Sequence, residues 1–197
     1  MEILIGTNNE NKFNQFKRVF SNLNPNIELF SLKELGIADD VEEDSENLLD
    51  NARKKARYYG GKSGMLTLSD DLGFFVDALA GDPGIHAKRW HFGTDKERYM
   101  KILEKMKDIP EEKRTCRYKS ALAVYDPAKK DFWVYEQNLE GKIANEPKEG
   151  NGFGYDPIVI INNKYYSEFT DEERYKISHR GLGVKELLKY LISKGQN

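Results

Sequence analysis

Ile3-Leu4-Ile5-Gly6-Thr7-Asn8-Asn9-Glu10-Asn11-Lys12-Phe13 opens the chain with an apolar run, a glycine and a polar cluster, after which Phe13, Phe16, Val19, Phe20 and Leu23 recur at helical spacing. A run this short reads as a strand and the recurrence as an amphipathic helix, so the chain begins strand, loop, helix. The next stretches extend the alternation. A strand is predicted over residues 27–30, then a helix capped by Ser45, with Leu48, Leu49, Ala52, Ala56 and Tyr59 on its apolar face and Gly60-Gly61 as its stop. Residues 65–68 read as a strand ending at Ser69-Asp70-Asp71, with residues 74–79 continuing the sheet after Gly73 and a turn at Gly81-Asp82-Pro83-Gly84. Thr94-x-x-Glu97 is a capping box opening a helix through Met100, Ile102, Leu103 and Met106, ended near Pro110. Residues 118–125 and 132–135 form a hairpin across Asp126-Pro127, and a second capping box, Thr170-x-x-Glu173, opens a short helix. Val184, Leu187, Leu188, Leu191 and Ile192 mark a closing amphipathic helix. Strands interspersed with helices, plus a hairpin, define an α/β fold with a mixed sheet.

Composition narrows the function classes. At 197 residues the chain suits one domain, or two lobes, and 31 basic against 33 acidic residues leave a net charge of −2. No global field draws such a chain onto nucleic acid or an anionic membrane, so an anionic ligand must be met by a local cluster. The single cysteine, Cys116, excludes an internal disulfide and a multi-cysteine zinc site and reads as a buried small residue. No apolar run approaches the ~20 residues of a membrane helix, and the amino terminus lacks the pattern of a secretory signal, so a cytoplasmic protein is expected.

Four polar groups fall where predicted strands end or helices begin. Thr7 to Lys12 stand at a helix start, where unpaired N–H groups and the helix dipole favour phosphate, although glycine spacing and a Lys-Ser/Thr pair typical of a P-loop are absent. Glu42-Glu43-Asp44 and Asp70-Asp71 offer carboxylates of the kind Mg²⁺ prefers. Lys54 and Lys55 on the second helix, with Arg89 after the Pro83-Gly84 turn, add cations. His86, His91 and His179 lack zinc-site spacing.

Gly152-Phe153-Gly154-Tyr155-Asp156-Pro157, followed by Ser178-His179-Arg180, combines aromatics, a carboxylate and a cation. The two glycines permit a tight turn that leaves Phe153 and Tyr155 outward, and Pro157 starts a buried strand over residues 158–161. Either a ligand platform for a flat, polar-edged base or a glycine-rich hairpin with two core aromatics fits this spacing.

Taken in order, Thr7-Asn8-Asn9-x-x-Lys12, Glu43 before Asn51-Ala52-x-x-Lys55-Ala56, Asp70-Asp71-x-Gly73-Phe74, Gly81-x-Pro83-Gly84 with Arg89, Gly152 to Pro157, and Ser178-His179-Arg180 resemble the inosine triphosphate pyrophosphatase family. The resemblance implies an elongated mixed β-sheet flanked by helices, one domain of two lobes with a central active-site cleft, and a homodimer. It implies a Mg²⁺-dependent hydrolase converting ITP, dITP and XTP to the monophosphate and pyrophosphate, with no nucleic-acid or membrane partner. By the same resemblance Thr7, Asn8, Asn9, Glu10, Asn11, Lys12 and Lys55 hold the triphosphate, and Glu43 and Asp71 position the metal. Asp71 activates water, while Leu72, Phe153, Gly154, Tyr155, Asp156, Arg174, His179 and Arg180 meet base and ribose. Several positions depart from the family pattern: Leu72 and Ala87 where Ser is common, Asn47-Leu48 for Thr-Phe, and Arg174 for a Lys. Rival readings are a pyrophosphatase for modified pyrimidine nucleotides and a non-catalytic nucleotide-binding protein.

Overall fold

The computed structural model describes residues 1–195. Among these residues the elements run β1 (Glu2–Ile5), α1 (Glu10–Leu23), β2 (Glu28–Ser31), α2 (Leu48–Ser63), β3 (Thr67–Val76), β4 (Pro83–Gly84), α3 (Asp95–Lys105), β5 (Thr115–Asp126), β6 (Asp131–Ile143), β7 (Val159–Ile161), β8 (Lys164–Tyr165), α4 (Asp171–Ile177) and α5 (His179–Ser193). The sheet order is β2-β1-β3-β5-β6-β7-β8, with β4 beside β3. β1 pairs in parallel with β2 and β3, whereas β4, β7 and β8 pair antiparallel, so the sheet is mixed as expected. Only residues 127–130 join the neighbouring β5 and β6, too few for a parallel crossover, which makes them the predicted hairpin. Among the described residues no helix is long and apolar enough to cross a membrane.

The chain divides into two compact units. Among the described residues the first comprises Met1–Asp71, Ser120–Gln137 and residues 177–195; the second comprises Leu72–Lys119 and Asn138–Lys176. In the first, β1 is buried on both faces, the condition under which a parallel strand reads as continuously apolar. Leu4 packs with Leu32, Ile37, Val41 and Tyr59 of α2. Phe16, Val19 and Phe20 of α1 and Val184, Leu187 and Leu191 of α5 form the buried faces of two helices that pack together. In the second unit, Phe74 stacks on Tyr155 at 4.6 Å between ring centroids and tilts against Tyr118 at 4.8 Å. Buried Arg114 donates to the carbonyls of Met106, Ile109, Ile143 and Ala144, satisfying backbone acceptors of its own unit.

Local signals that name their own hydrogen bonds hold. Asn9 caps α1, and both capping boxes close, with Thr94 and Glu97 on α3 and Thr170 and Glu173 on α4 exchanging their bonds. Several boundaries differ from expectation. Asn47 caps α2 in place of Ser45, because its side chain accepts the Asp50 N–H while the Ser45 N–H is taken by Asn51. α2 also runs past Gly60-Gly61 to Ser63 and stops at Gly64, whose φ is 73°. Gly60 serves packing: a Cβ there would lie 2.9 Å from the Tyr125 ring and 3.2 Å from Thr67 Oγ1.

β3 is one ten-residue strand through Ser69-Asp70-Asp71-Leu72-Gly73, so the two acids lie within a strand and not at its end. β2 begins at Glu28, residues 77–79 form a 3₁₀ turn, and Ile158 belongs to a 3₁₀ turn before β7. α3 ends at Lys105 with Met100 exposed and Tyr99, Ile102 and Met106 buried, and Ile192, expected on the apolar face of α5, is exposed.

Candidate active site

Strand alternation sends Asp70 and Asp71 to opposite faces of β3, and each meets a different set of helices. Asp70 is 1% exposed. Its Oδ2 accepts Arg180 Nη2 of α5 at 2.6 Å, and its Oδ1 forms an ion pair with Lys12 Nζ of α1 at 3.1 Å. Burial alone would raise this carboxyl, but Arg180, Lys12 and Lys55 hold it far below the usual carboxylate range. Arg180 Nη1 also donates to Gln15 Oε1 at 2.5 Å. Burial lowers the Lys12 pKa, with Lys55 and Arg180 adding repulsion that Asp70 only partly offsets. His179 Nε2 lies 4.0 Å from Asp70 Oδ2, and burial beside Arg180 pushes the imidazole well below its ordinary value, so it is neutral at pH 7.

Asp71 faces α2. Asn51 Nδ2 donates to its Oδ2 at 3.1 Å, and Lys55 Nζ, one turn further along the same helix face, reaches its Oδ1 at 3.3 Å. The same ammonium donates to Glu43 Oε1 at 2.5 Å and to the Asp70 carbonyl at 2.7 Å. Two carboxylates therefore share one lysine. Burial raises Asp71 and the Glu43 charge adds to it, against the pull of Lys55; burial alone would lower Lys55, but Asp71 and Glu43 together raise it. Unlike most helical lysines Lys55 is buried, whereas Lys54 is exposed and pairs with Asp44 at 2.7 Å.

The α1 start is arranged by its own side chains. Asn9 Oδ1 accepts from the N–H groups of Asn11 and Lys12, Thr7 Oγ1 accepts from Asn9 N–H at 3.2 Å, and Asn8 donates to the Asp39 carbonyl at 3.0 Å. Glu10 and Asn11 are exposed. Gly6 allows β1 to lie close to β3, since a Cβ there would stand 2.3 Å from Ser69 Oγ.

The second unit holds the glycine loop. Gly152 and Gly154 have φ of 103° and 68°, as their sequence placement predicts. Phe153 and Gly154 are half-buried, and Gly154 N–H donates to Asp95 Oδ2 at 2.9 Å. Tyr155 does not face outward: it is 6% exposed, stacks on Phe74, and donates its hydroxyl to the Ala87 carbonyl at 2.7 Å. A 3₁₀ turn begins at Asp156 and breaks the alternation that would have put both aromatics on one side. Asp156 is buried, with Oδ1 accepting from Tyr118 and Oδ2 from Arg174 and the Phe153 N–H. Arg174, also buried, donates to the carbonyls of Asn151 and Tyr166 and lies 4.1 Å over the Tyr166 ring. Leu72 is half-buried in β3; Arg89 is exposed. Cys116 is fully buried, and burial pushes its thiol far up, as befits a core residue.

The first unit thus brings together Lys12, Glu43, Lys55, Asp71, His179 and Arg180, and the second brings together Phe153, Gly154, Tyr155, Asp156 and Arg174. The sequence assigns no role to Gln15, Tyr118 and Asp95, and Asn51 enters it only as part of the motif before Lys55. Asn51 alone carried a signal, a polar residue one turn before Lys55 on an otherwise apolar helix face.

Gly152→Ala tests the loop. A Cβ at this positive φ would meet Asp156 Oδ2 at 2.2 Å and Arg174 Nη2 at 2.7 Å. The substitution is expected to cost more than about 1 kcal/mol in a melting experiment, since both the backbone and the buried pair must shift.

The first unit is thus an α/β layer whose parallel strands carry a buried lysine–carboxylate centre between their flanking helices. The chain belongs to the Ham1 family, whose sequence profile matches residues 3–190. A dITP/XTP pyrophosphatase of Thermoanaerobacter sp. (strain X514) is 35% identical over 198 residues, covering 98% of each chain. The dITP/XTP pyrophosphatase of Bacillus subtilis (strain 168) is 36% identical over 194 residues, 96% of each chain. Among solved structures, the Ham1 protein of Staphylococcus aureus matches with a TM-score of 0.84 at 29% identity over 98% of this chain and 100% of that one. The nucleoside-triphosphatase, dITP/XTP pyrophosphatase, of Mycobacterium abscessus matches with a TM-score of 0.72 at 35% identity over 95% and 99%.

Proposed function

We propose that this chain is a nucleoside triphosphate pyrophosphohydrolase that removes ITP, dITP and XTP from the nucleotide pool, releasing the monophosphate and pyrophosphate. The observation that carries this reading is the convergence of Glu43 and Asp71 on Lys55, with Lys12 held by Asp70 in the same unit. Near-full-length relatives named dITP/XTP pyrophosphatases support it.

Lys12 and Lys55 supply positive charge to the triphosphate, together with the polar segment from Thr7 to Asn11. Asp71 accepts the proton of the attacking water. The water oxygen bonds to the α-phosphorus as the bond to the β-phosphate bridging oxygen breaks and pyrophosphate leaves. Mg²⁺ fits Glu43 and Asp71, since both carboxylates already converge on one cation. Among the described residues no group of three or more His, Cys, Asp or Glu is placed to hold a metal. That leaves the one or two carboxylates Mg²⁺ takes alongside phosphate oxygens and water. When bound, Mg²⁺ neutralises phosphate charge and lowers the pKa of a coordinated water.

For the base, Phe153 and Gly154 provide the platform, with Tyr155, Asp156 and Arg174 fixing its shape from below and Leu72 offering backbone contact. His179 and Arg180 read the 6-oxo edge. His179 Nε2 and Arg180 Nε are buried and have no hydrogen-bond partner in the structure, which suits them to a ligand. Adenine presents a donor at that edge and leaves such groups unpaired, a mismatch that can yield selectivity of order 10⁴. A cytoplasmic homodimer belongs to the same proposal, its stoichiometry measurable by light scattering.

Product analysis with ITP and Mg²⁺ tests the reaction. Equimolar IMP and pyrophosphate are expected. IDP with phosphate, or faster hydrolysis of dUTP or methylated pyrimidine triphosphates, would overturn the assignment.

A further inference from the structure

Asn51 is 3% exposed inside α2, where a buried amide is both a poor helix former and costly unless its polar atoms are paired. Both ends are used. Oδ1 accepts the Ser45 N–H at 3.1 Å, and Nδ2 donates to Asp71 Oδ2 at 3.1 Å. Ser45 lies two residues from Glu43, so one amide ties the segment carrying Glu43 to the carboxylate of Asp71. Lys55, four residues on, draws the remaining Asp71 oxygen and Glu43 Oε1 together.

We propose that Asn51 is a positioning residue of the hydrolytic centre, setting the spacing between Glu43 and Asp71 by holding the Ser45 amide with one end of its side chain and Asp71 Oδ2 with the other. The proposal rests on the function assigned above to Glu43 and Asp71. It assigns the Asn51 amide a division of labour: the Nδ2–H bond leaves Oδ1 of Asp71 as the oxygen that faces Lys55. An apolar side chain of the same size would fill the space and hold neither partner, and the two carboxylates would then be joined only through the longer, more mobile lysine.

Asn51→Leu keeps the branched outline in a larger, strongly helix-forming side chain and Asn51→Ala shortens it, so a loss common to both separates hydrogen bonding from packing. Three readouts apply: binding of Mn²⁺ alone to the nucleotide-free chain by water-proton relaxation, hydrogen exchange at the Ser45 amide, and kcat and KM for ITP. Loss of an outer residue that orients metal ligands typically costs about 10–100-fold, and that loss is expected in Mn²⁺ affinity and in kcat, with KM within about threefold. Exchange at Ser45 accelerates in both variants. Mn²⁺ affinity and kcat within about twofold of the parent protein, or unchanged Ser45 exchange, would overturn the proposal, as would a parent chain that binds no Mn²⁺. A parent chain that binds Mn²⁺ but releases no pyrophosphate from ITP overturns the function instead, and the Mn²⁺ and exchange data still decide the role of Asn51.

Discussion

Asp71→Asn is expected to lower kcat for ITP by roughly 10²–10⁴-fold, the usual contribution of a positioned proton acceptor, with ITP affinity measured in the absence of divalent metal changed by no more than about threefold. The amide has the shape of the carboxylate and can still accept from Asn51, but it cannot take the proton of water. Two pH effects follow from the raised pKa of Asp71, caused first by burial and then by the Glu43 charge. Activity needs the ionised form, so it falls as pH drops through this raised value, above the ordinary ~3.9 of an aspartate. Stability moves the other way. A carboxyl raised in the folded state binds its proton more tightly there than in the unfolded chain, so its contribution is lost as pH rises through the folded value. The variant lacks this titration, so the difference in melting temperature between variant and parent should move in the variant's favour as pH rises through that value. Calorimetric ITP titration beside single-turnover assays separates the effects. Parental turnover, or a fall in affinity as large as the fall in kcat, would remove Asp71 from this role.

The largest stability effect belongs to its neighbour. Asp70→Asn leaves Arg180 and Lys12 without the buried carboxylate that both engage, and breaking a buried ion pair from one side costs about 3–5 kcal/mol. At ~2–4 °C per kcal/mol for a chain of this size, the melting temperature should fall by roughly 6–20 °C. Asp70 is depressed in the folded protein, so its contribution is fully present above the unfolded value of ~3.9 and is lost as pH falls toward the much lower folded value. Parent and variant should therefore converge in stability as pH is lowered below about 4. Scanning calorimetry across that range is the measurement; a constant gap, or a melting temperature within about 1 °C at neutral pH, would show that Asp70 carries no such charge role.

What was legible in the chain was local. The opening strand and helix and both capping boxes announce themselves locally, the boxes because their hydrogen bonds close within four residues. Asp-Asp-Leu-Gly reads as a loop by composition, whereas inside the strand Asp70 is met by Arg180, 110 residues away, and Lys12, and Asp71 by Asn51 and Lys55. Gly60 reads as a stop in the sequence, and the Tyr125 ring that makes it a packing residue lies outside any local window. In the site, the motifs name Lys12, Lys55 and Asp71, and the structure places all three in one unit. The motifs give no sign that Asp156 and Arg174 would bury each other, since a pair 18 residues apart leaves no periodic trace.

The two acids of β3 differ only in the parity of their position, and parity is what a small insertion or deletion changes. Removing one residue between 67 and 69 would carry Asp71 into the place of Asp70 and bring Leu72 to the hydrolytic position, leaving a charge-balanced but inert fold. Adding one there would do the reverse, presenting a carboxylate to Lys55 while Ser69 faced the two cations, so the reactive group would survive in a scaffold stripped of its counter-charge. The adjacent aspartates are thus no duplicate of each other, and this segment of the gene should tolerate changes of identity far better than changes of length.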